Sequence, residues 1–260
     1  MAELLITTQI EDYVATLTIN NPPANTLNLA VMTELEAAID AVIANPAVKA
    51  AVVTGAGNMF VAGADIREIA GISSAEQGRT VTRKGQAIFD KIERSPKPVI
   101  AAINGLFCLG GGLELAMACH MRVASERVRM GLPEIDLGII PGFGGTQRLP
   151  RIVGPSKAAE LILTGDKITG TEAKEIGLVN KAVPEADVLK QAQGLAKKIA
   201  SKGQAAVRAA MTAIGHGLVS SQAAGLQDES ALFGTLCETA DMKEGVKAFL
   251  EKRHPKWVDK

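Results

Sequence analysis

Aromatic residues make up only 3% of the 260-residue chain, with one tryptophan and one tyrosine. So few flat rings leave no platform on which nucleic-acid bases would stack. Charge of one sign is also missing: 28 basic side chains face 28 acidic ones. No whole-chain field therefore draws in nucleic acid or an anionic membrane. A local basic cluster, Lys252, Arg253 and Lys256, closes the C-terminus and is suited to meet a phosphate. The three cysteines, Cys108, Cys119 and Cys237, show no CxxC or zinc-like spacing. Their odd number argues against a disulfide framework, and a reducing, cytoplasmic compartment is the simplest expectation. His120, His216 and His254 are scattered and no HExxH occurs, so no metal site is expected. The N-terminal MAELLITTQIEDYV has neither a basic region nor a long apolar core, nor the Arg-rich, acid-poor look of a transit peptide. A secretory signal and a membrane span are not expected there. GxxxxGK[ST] and GxSxG are both absent, which removes a P-loop and a nucleophile elbow. GAGNMF at 55–60 puts Phe60 where a dinucleotide fingerprint needs its third glycine, so a nicotinamide-dependent oxidoreductase is unsupported.

What is present is an ordinary globular composition, 47% hydrophobic and 22% charged, long enough for one large α/β domain with a helical appendage. LLITTQI (4–10) and VATLTI (14–19) predict paired strands, the second alternating with period two. A turn, NNPPANT, leads to an amphipathic helix from Leu29 to Ala44. AAVVTG (50–55) and VIAAIN (99–104) predict buried strands around a helix at 75–94, with further strands near 121–124 and 128–130. Repeated strand–strand–helix units fit an α/β core that coils as it goes. Beyond Gly154 helices dominate, at 156–164, 171–176, 185–201, 204–216, 221–235 and 241–252, with KITG and VNKAV strand-like between them. The last three carry apolar residues such as Leu226, Phe233 and Leu236 that need cover, from the core or from a partner subunit.

Two segments carry chemistry: CLGGGLELA (108–116) and GLPEIDLGIIPGFGGTQR (131–148). A triple glycine opening a helix leaves N–H groups bare where the helix dipole favours negative charge. Glu114 and Glu134 each sit beside glycine-rich backbone among apolar residues, where a carboxylate is expensive unless paired or functional. Two carboxyls near such donors suit acid–base work on a carbonyl whose oxygen becomes anionic. The plainer alternatives are a surface position for Glu114 and a helix N-terminal acid for Glu134. Ala62, Gly63 and Ala64 form a small-residue corner in FVAGADIREI (60–69) that lets backbone approach a ligand, or is an ordinary turn with Asp65 as helix cap.

Taken together, FVAGADI, KPVIAAINGLFCLGGGLELAMACH and GLPEIDLGIIPGFGGTQRLPRIVG resemble the enoyl-CoA hydratase (crotonase) family, most of all its short-chain trans-2-enoyl-CoA hydratases. The likeness runs from VATLTINNPPANTLN to GVKAFLEKRHPKW. It implies a crotonase-like superhelix of β-β-α units over 1–200, and a helical trimerisation region over 201–260 that packs on the core and on a neighbouring subunit. It further implies a homo-oligomer (a trimer or dimer of trimers), acyl-CoA thioesters as substrate, and no cofactor beyond the coenzyme A that the substrate carries. By resemblance, Ala64 and Gly111 match the oxyanion-hole backbone positions, and Glu114 and Glu134 the two hydratase glutamates. Gly142 matches a glycine supporting the water site. Ala62, Asp65, Ile66 and Arg67 fall at coenzyme A contacts, and Phe233 and Lys252 match residues reaching coenzyme A from a neighbour. The activity implied is reversible hydration of trans-2-enoyl-CoA to 3-hydroxyacyl-CoA. An enoyl-CoA Δ3,Δ2-isomerase and a non-catalytic acyl-CoA-binding member stay open as alternatives, because one fold hosts several chemistries.

Overall fold

The computed structural model describes residues 4–259. Residues 1–3 and 260, the outermost ends of the two expected regions, lie outside the described residues. β1 (Ile6–Glu11) and β2 (Val14–Ile19) pair antiparallel. Asp12 and Tyr13, both at positive φ, close the hairpin in the two-residue geometry that matches strand twist. α1 (Leu29–Ala44) starts at Asn28, whose side chain accepts from the Val31 N–H at 2.9 Å. Val31, Leu35, Ile39 and Val42 recur at helical spacing and are the buried stripe of α1. β3 (Ala50–Gly55) is buried throughout and lies parallel to β2. Then follow α2 (Ile66–Ala70), α3 (Ala75–Glu93), β4 (Val99–Ile103), β5 (Phe107–Leu109), α4 (Gly111–Ala118), β6 (Met121–Ser125) and β7 (Arg129–Gly131). After a 3-10 turn at Pro133–Leu137 come α5 (Gly145–Val153), α6 (Pro155–Thr164), β8 (Ile168–Thr169), α7 (Gly170–Glu175) and β9 (Lys181–Val183). The chain closes with α8 (Val188–Ala200), α9 (Gln204–Gly217), α10 (Gln222–Cys237) and α11 (Ala240–Leu250).

Two sheets result. The larger runs β1-β2-β3-β4-β6-β9 and is parallel from β2 onward; the smaller runs β5-β7-β8. After β3 the chain adds the bridges Met59↔Gly105 and Val61↔Cys108 beside the smaller sheet, and after β4 and β6 it adds β5 and β7. A helix then returns it to the larger sheet. This is the coiled strand–strand–helix repeat expected from the pattern.

The inner strands β3 and β4 of the larger sheet are buried on both faces, which is why they read as continuous apolar runs. Ala51, Val53, Ala101 and Ile103 face the main core with α1, α3 and α4. Ala50, Val52, Ile100 and Ala102 face Val188, Ala192, Ala196 and Ala200, which α8 presents every fourth residue. Glu185–Asp187 forms a separate 3-10 turn, so the helix expected over 185–201 begins at Val188. α5 and β5 were not legible, since glycines and a mid-helix Pro150 hide the first and its three residues are too few to show a period in the second. In α10 no residue is buried, and Phe233 and Phe249 are 68% and 82% exposed.

Candidate active site

The site forms where the two sheets part company. Val61 and Cys108 are bridged, and the Leu109 N–H donates to the Val61 carbonyl at 3.1 Å, which brings corner 62–65 against the start of α4. A parallel bridge also joins Leu27 to Ala64. It is carried by the Leu27 N–H to the Gly63 carbonyl (2.9 Å) and the Asp65 N–H to the Leu27 carbonyl (3.3 Å). The Ala64 N–H takes no part in that ladder. Gly111 is the first residue of α4, so its N–H has no carbonyl one turn behind it. A methyl on Gly111 would stand 3.5 Å from the Ala64 nitrogen. The two donors thus flank one small space, and neither is bound by an acceptor among the described residues.

Gly110, the residue before α4, has φ +49°, and a methyl there would lie 2.8 Å from Glu134 Oε1. Glycine is what the turn and the approaching carboxylate both require. Glu134 stands in the first turn of the 3-10 segment, and its Oε2 is buried with no hydrogen-bond partner among the described residues. Burial raises its pKa above the ordinary carboxyl value. Glu114 lies one turn into α4 and is 2% exposed. Its Oε1 accepts from the Phe143 N–H at 2.8 Å and the Gly145 N–H at 2.7 Å. Burial, with the Glu134 charge adding, raises its pKa to about 7 against the opposing pull of the two N–H donors and of Arg148. A surface position for Glu114 is therefore overturned. The helix-end reading of Glu134 holds only locally, because its carboxyl turns inward.

A cleft of about 400 Å³ opens over this constellation, lined by Pro22, Ala24, Ala62, Ala64, Gly110, Glu134 and Leu137 among others. Asp65, Ile66 and Arg67 line it too. Asp65 caps α2 through the Arg67 N–H at 2.9 Å and pairs with the exposed Arg67 guanidinium at 3.1 Å, an arrangement that keeps a cation at the rim. Gly142 immediately precedes the Phe143 donor, and its carbonyl accepts from Gln86 Nε2 at 2.8 Å. Phe233, on α10, and Lys252, beyond α11, do not line the cleft of their own chain. The donors Phe143 and Gly145, and Arg148 behind them, escaped the sequence reading. The glycine turn GFGG marks the first two, and nothing local marks the ion pairs of Arg148 with Asp90 and Glu93. Among the described residues no group of three or more metal-ligating side chains could hold an ion, and no helix is long and apolar enough to cross a membrane.

Residues 9–260 match the family model described as enoyl-CoA hydratase/isomerase. The chain belongs to that family. A probable enoyl-CoA hydratase of Bacillus subtilis is 45% identical over 253 residues, covering 97% of this chain and 98% of the relative. A crotonyl-CoA hydratase of Syntrophomonas wolfei is 46% identical over 252 residues, 96% of each chain. Among solved structures, an enoyl-CoA hydratase of Bacillus anthracis superposes with a TM-score of 0.94 at 41% identity, covering 98% of this chain and all of the other. The fold expected from the family resemblance is therefore the fold observed, and its strand–strand–helix turns place Glu134 on the cleft and Glu114 buried close enough for the two carboxyl charges to be felt by each other.

Proposed function

We propose that the chain is an enzyme that reversibly adds water, in the syn sense, across the C2=C3 bond of trans-2-enoyl-CoA thioesters to give 3-hydroxyacyl-CoA. The observation that carries the reading is a cleft lined by Ala64, Gly110 and Glu134, with the unengaged Gly111 N–H beside Ala64 and the buried Glu114 carboxyl near enough for the Glu134 charge to raise its pKa. Names of relatives that share nearly the whole chain support the same activity, crotonyl-CoA hydratase among them.

Attack of water at C3 moves electron density through the conjugated thioester onto its carbonyl oxygen. The Ala64 and Gly111 N–H groups meet that oxygen and stabilise it as it turns anionic. Each donor contributes about 3 kcal/mol, by analogy with removal of one donor from an acyl-transfer site. Backbone donors suit the task because they cannot rotate away. Glu114, held by Phe143 and Gly145, takes a proton from the water as its oxygen bonds to C3. Glu134 gives a proton to C2. Hydroxyl and proton then add to the same face, and reversal exchanges the two roles. A pKa near 7 keeps Glu114 able to hold or release a proton at neutral pH. By the family resemblance the backbone around Gly142, next to the Phe143 N–H that holds Glu114, supports the water.

Coenzyme A enters as part of the substrate, over Ala62, Asp65, Ile66 and Arg67. Hydration leaves the overall oxidation state unchanged, so the reading calls for no further cofactor. Phe233 and Lys252 reach the coenzyme from a neighbouring subunit of a trimer or dimer of trimers. The apolar side chains that α10 and α11 leave uncovered favour such a partner. The division at residue 200 follows the point where helices stop covering the sheet and turn to one another. Buried free thiols at Cys108 and Cys119 fit a cytoplasmic setting.

The test is loss of the conjugated enoyl-thioester absorbance with crotonyl-CoA. Glu114→Gln and Glu134→Gln should each lower turnover at least about a hundredfold. Near wild-type rates in both would defeat the assignment. An isomerase needs only one proton-shuttling glutamate, so a double-bond shift that survives one of the two substitutions would favour that alternative.

A further inference from the structure

Arg148 is a buried cation that the hydration chemistry does not use directly. It lies in the first turns of α5, is 7% exposed, and spends three nitrogens on four bonds. Nη1 donates to the Phe143 carbonyl at 2.9 Å. Nε and Nη2 donate to Glu93 Oε2 at 3.0 and 2.8 Å, and Nη2 also donates to Asp90 Oδ1 at 2.6 Å. Phe143 is thus held at both ends of its backbone: its carbonyl by Arg148, its N–H by Glu114. We propose that Arg148 is a positioning residue for Glu114, clamping the 143–145 turn to α3 so that two N–H groups keep the carboxylate aimed at the reacting water. The inference rests on the hydratase reading above, in which Glu114 handles the water proton.

The arrangement exceeds what fold stability alone asks of that position. Taking a guanidinium out of water is costly unless every donor finds a partner, and well-packed apolar residues often serve a structure as well. Here the cation bridges an outer helix, α3, to the turn that touches the proposed base. The planar fork of arginine suits this, since it reaches two carboxylates and a carbonyl at once, which an ammonium does not. The carboxylates on its far side, Asp90 and Glu93, are 43% and 52% exposed. Water can therefore take over both if the arginine is removed, and the fold has a way to survive the change.

Charge makes the role readable. Glu114 is faced by the Glu134 carboxyl from the 3-10 turn and by Arg148 from α5. Arg148 itself is faced by Asp90 and Glu93 from α3, and by Cys119 at the end of α4. His120 lies beside Glu93. The cation favours ionised Glu114, while Asp90 and Glu93 temper the cation.

Three variants, R148Q, R148K and the double variant D90N/E93Q, are assayed with crotonyl-CoA for kcat, KM, the pH profile of kcat/KM and thermal unfolding. In R148Q, kcat falls about tenfold or more with KM little changed, the scale expected from a misplaced catalytic group. Its acidic limb moves to higher pH by about half a unit or more, because a nearby cation is gone. R148K retains the charge, so its limb stays close to wild type while kcat falls part-way. D90N/E93Q moves the limb the opposite way, to lower pH, since its cation is no longer tempered. Folded R148Q with wild-type kcat and pH profile overturns the proposal, and so does a change confined to the unfolding temperature. Should R148Q not fold, D90N/E93Q decides through kcat, since it loosens the α3 anchor of the same arginine: a fall with KM little changed supports the clamp, and wild-type kcat overturns it. E114Q run in parallel separates the two layers of argument. An active E114Q removes the hydratase reading, whereas an inactive E114Q beside a wild-type R148Q removes the clamp alone.

Discussion

Replacing Glu114 by glutamine should make the protein more stable while it stops the chemistry. The carboxyl is buried, and its pKa is raised from 4.5 to about 7 by burial first and by the Glu134 charge. A raised carboxyl pKa means that the folded state holds its proton more tightly than the unfolded chain does. Its contribution to stability is fully present below about pH 4.5 and is lost as pH rises through about 7. Each pH unit between the two values is worth about 1.4 kcal/mol, so ionised Glu114 costs the fold ~3 kcal/mol at alkaline pH. Glutamine has nearly the same shape and retains one oxygen for the Phe143 and Gly145 N–H groups, but never ionises. For a chain of this size 1 kcal/mol moves the unfolding midpoint by about 2–4 °C. E114Q should thus melt several degrees above wild type at about pH 8, with most of the gain gone by about pH 5. Thermal unfolding at both pH values and equal protein concentration measures it. A midpoint difference that is absent at the higher pH, or identical at both, would refute the claim that this carboxylate is held ionised against the preference of its surroundings.

Further outcomes follow from the same geometry. Gly111→Ala places a methyl in ordinary contact with Leu27, Phe143 and the Ala64 nitrogen, so the fold should hold. That methyl stands 3.5 Å from the Ala64 nitrogen, in the way of an oxygen that the proposed reading seats between the two donors, so kcat/KM should fall by about a hundredfold, the scale for losing one oxyanion donor. Unfolding midpoint and crotonyl-CoA kinetics check the two halves separately. Gly85→Ala drives a methyl into the Phe143 ring, which stands edge-on to Phe89 at 5.7 Å. Overpacking should cost about 1–3 kcal/mol, read by denaturant titration, and lower turnover because the Phe143 N–H moves with its ring. The E134Q and R148Q outcomes given above complete the set, and each is read in the same hydration assay.

Much of the scaffold was visible in local pattern. β3 and β4 announced themselves as apolar runs, β2 by its period-two alternation, and α1 as an amphipathic stretch, whereas the caps Asn28 and Ser74 showed only in the structure. Both glutamates stood out because an acid beside glycines in apolar company is unusual. Other parts were silent. The short β5 and the glycine-bearing α5 have no period to detect, and the ion pairs from Arg148 to Asp90 and Glu93 span 55 residues or more. Neither the Phe143 N–H nor the Gly145 N–H is a property of a side chain, so no residue letter marks them.

Residue types alone thus settled where chain segments would hide from water and where acids would be costly, because hydrophobicity and helix or strand period act over a few neighbours. Only folding decided which backbone amides stayed unengaged and which carboxyls met. Those outcomes depend on corner 62–65 being laid beside the start of α4 by Val61 and Cys108, and on the 143–145 turn being pressed under Glu114. Distances between segments far apart in the chain are set by the packing of the whole, and no stretch of sequence holds them by itself.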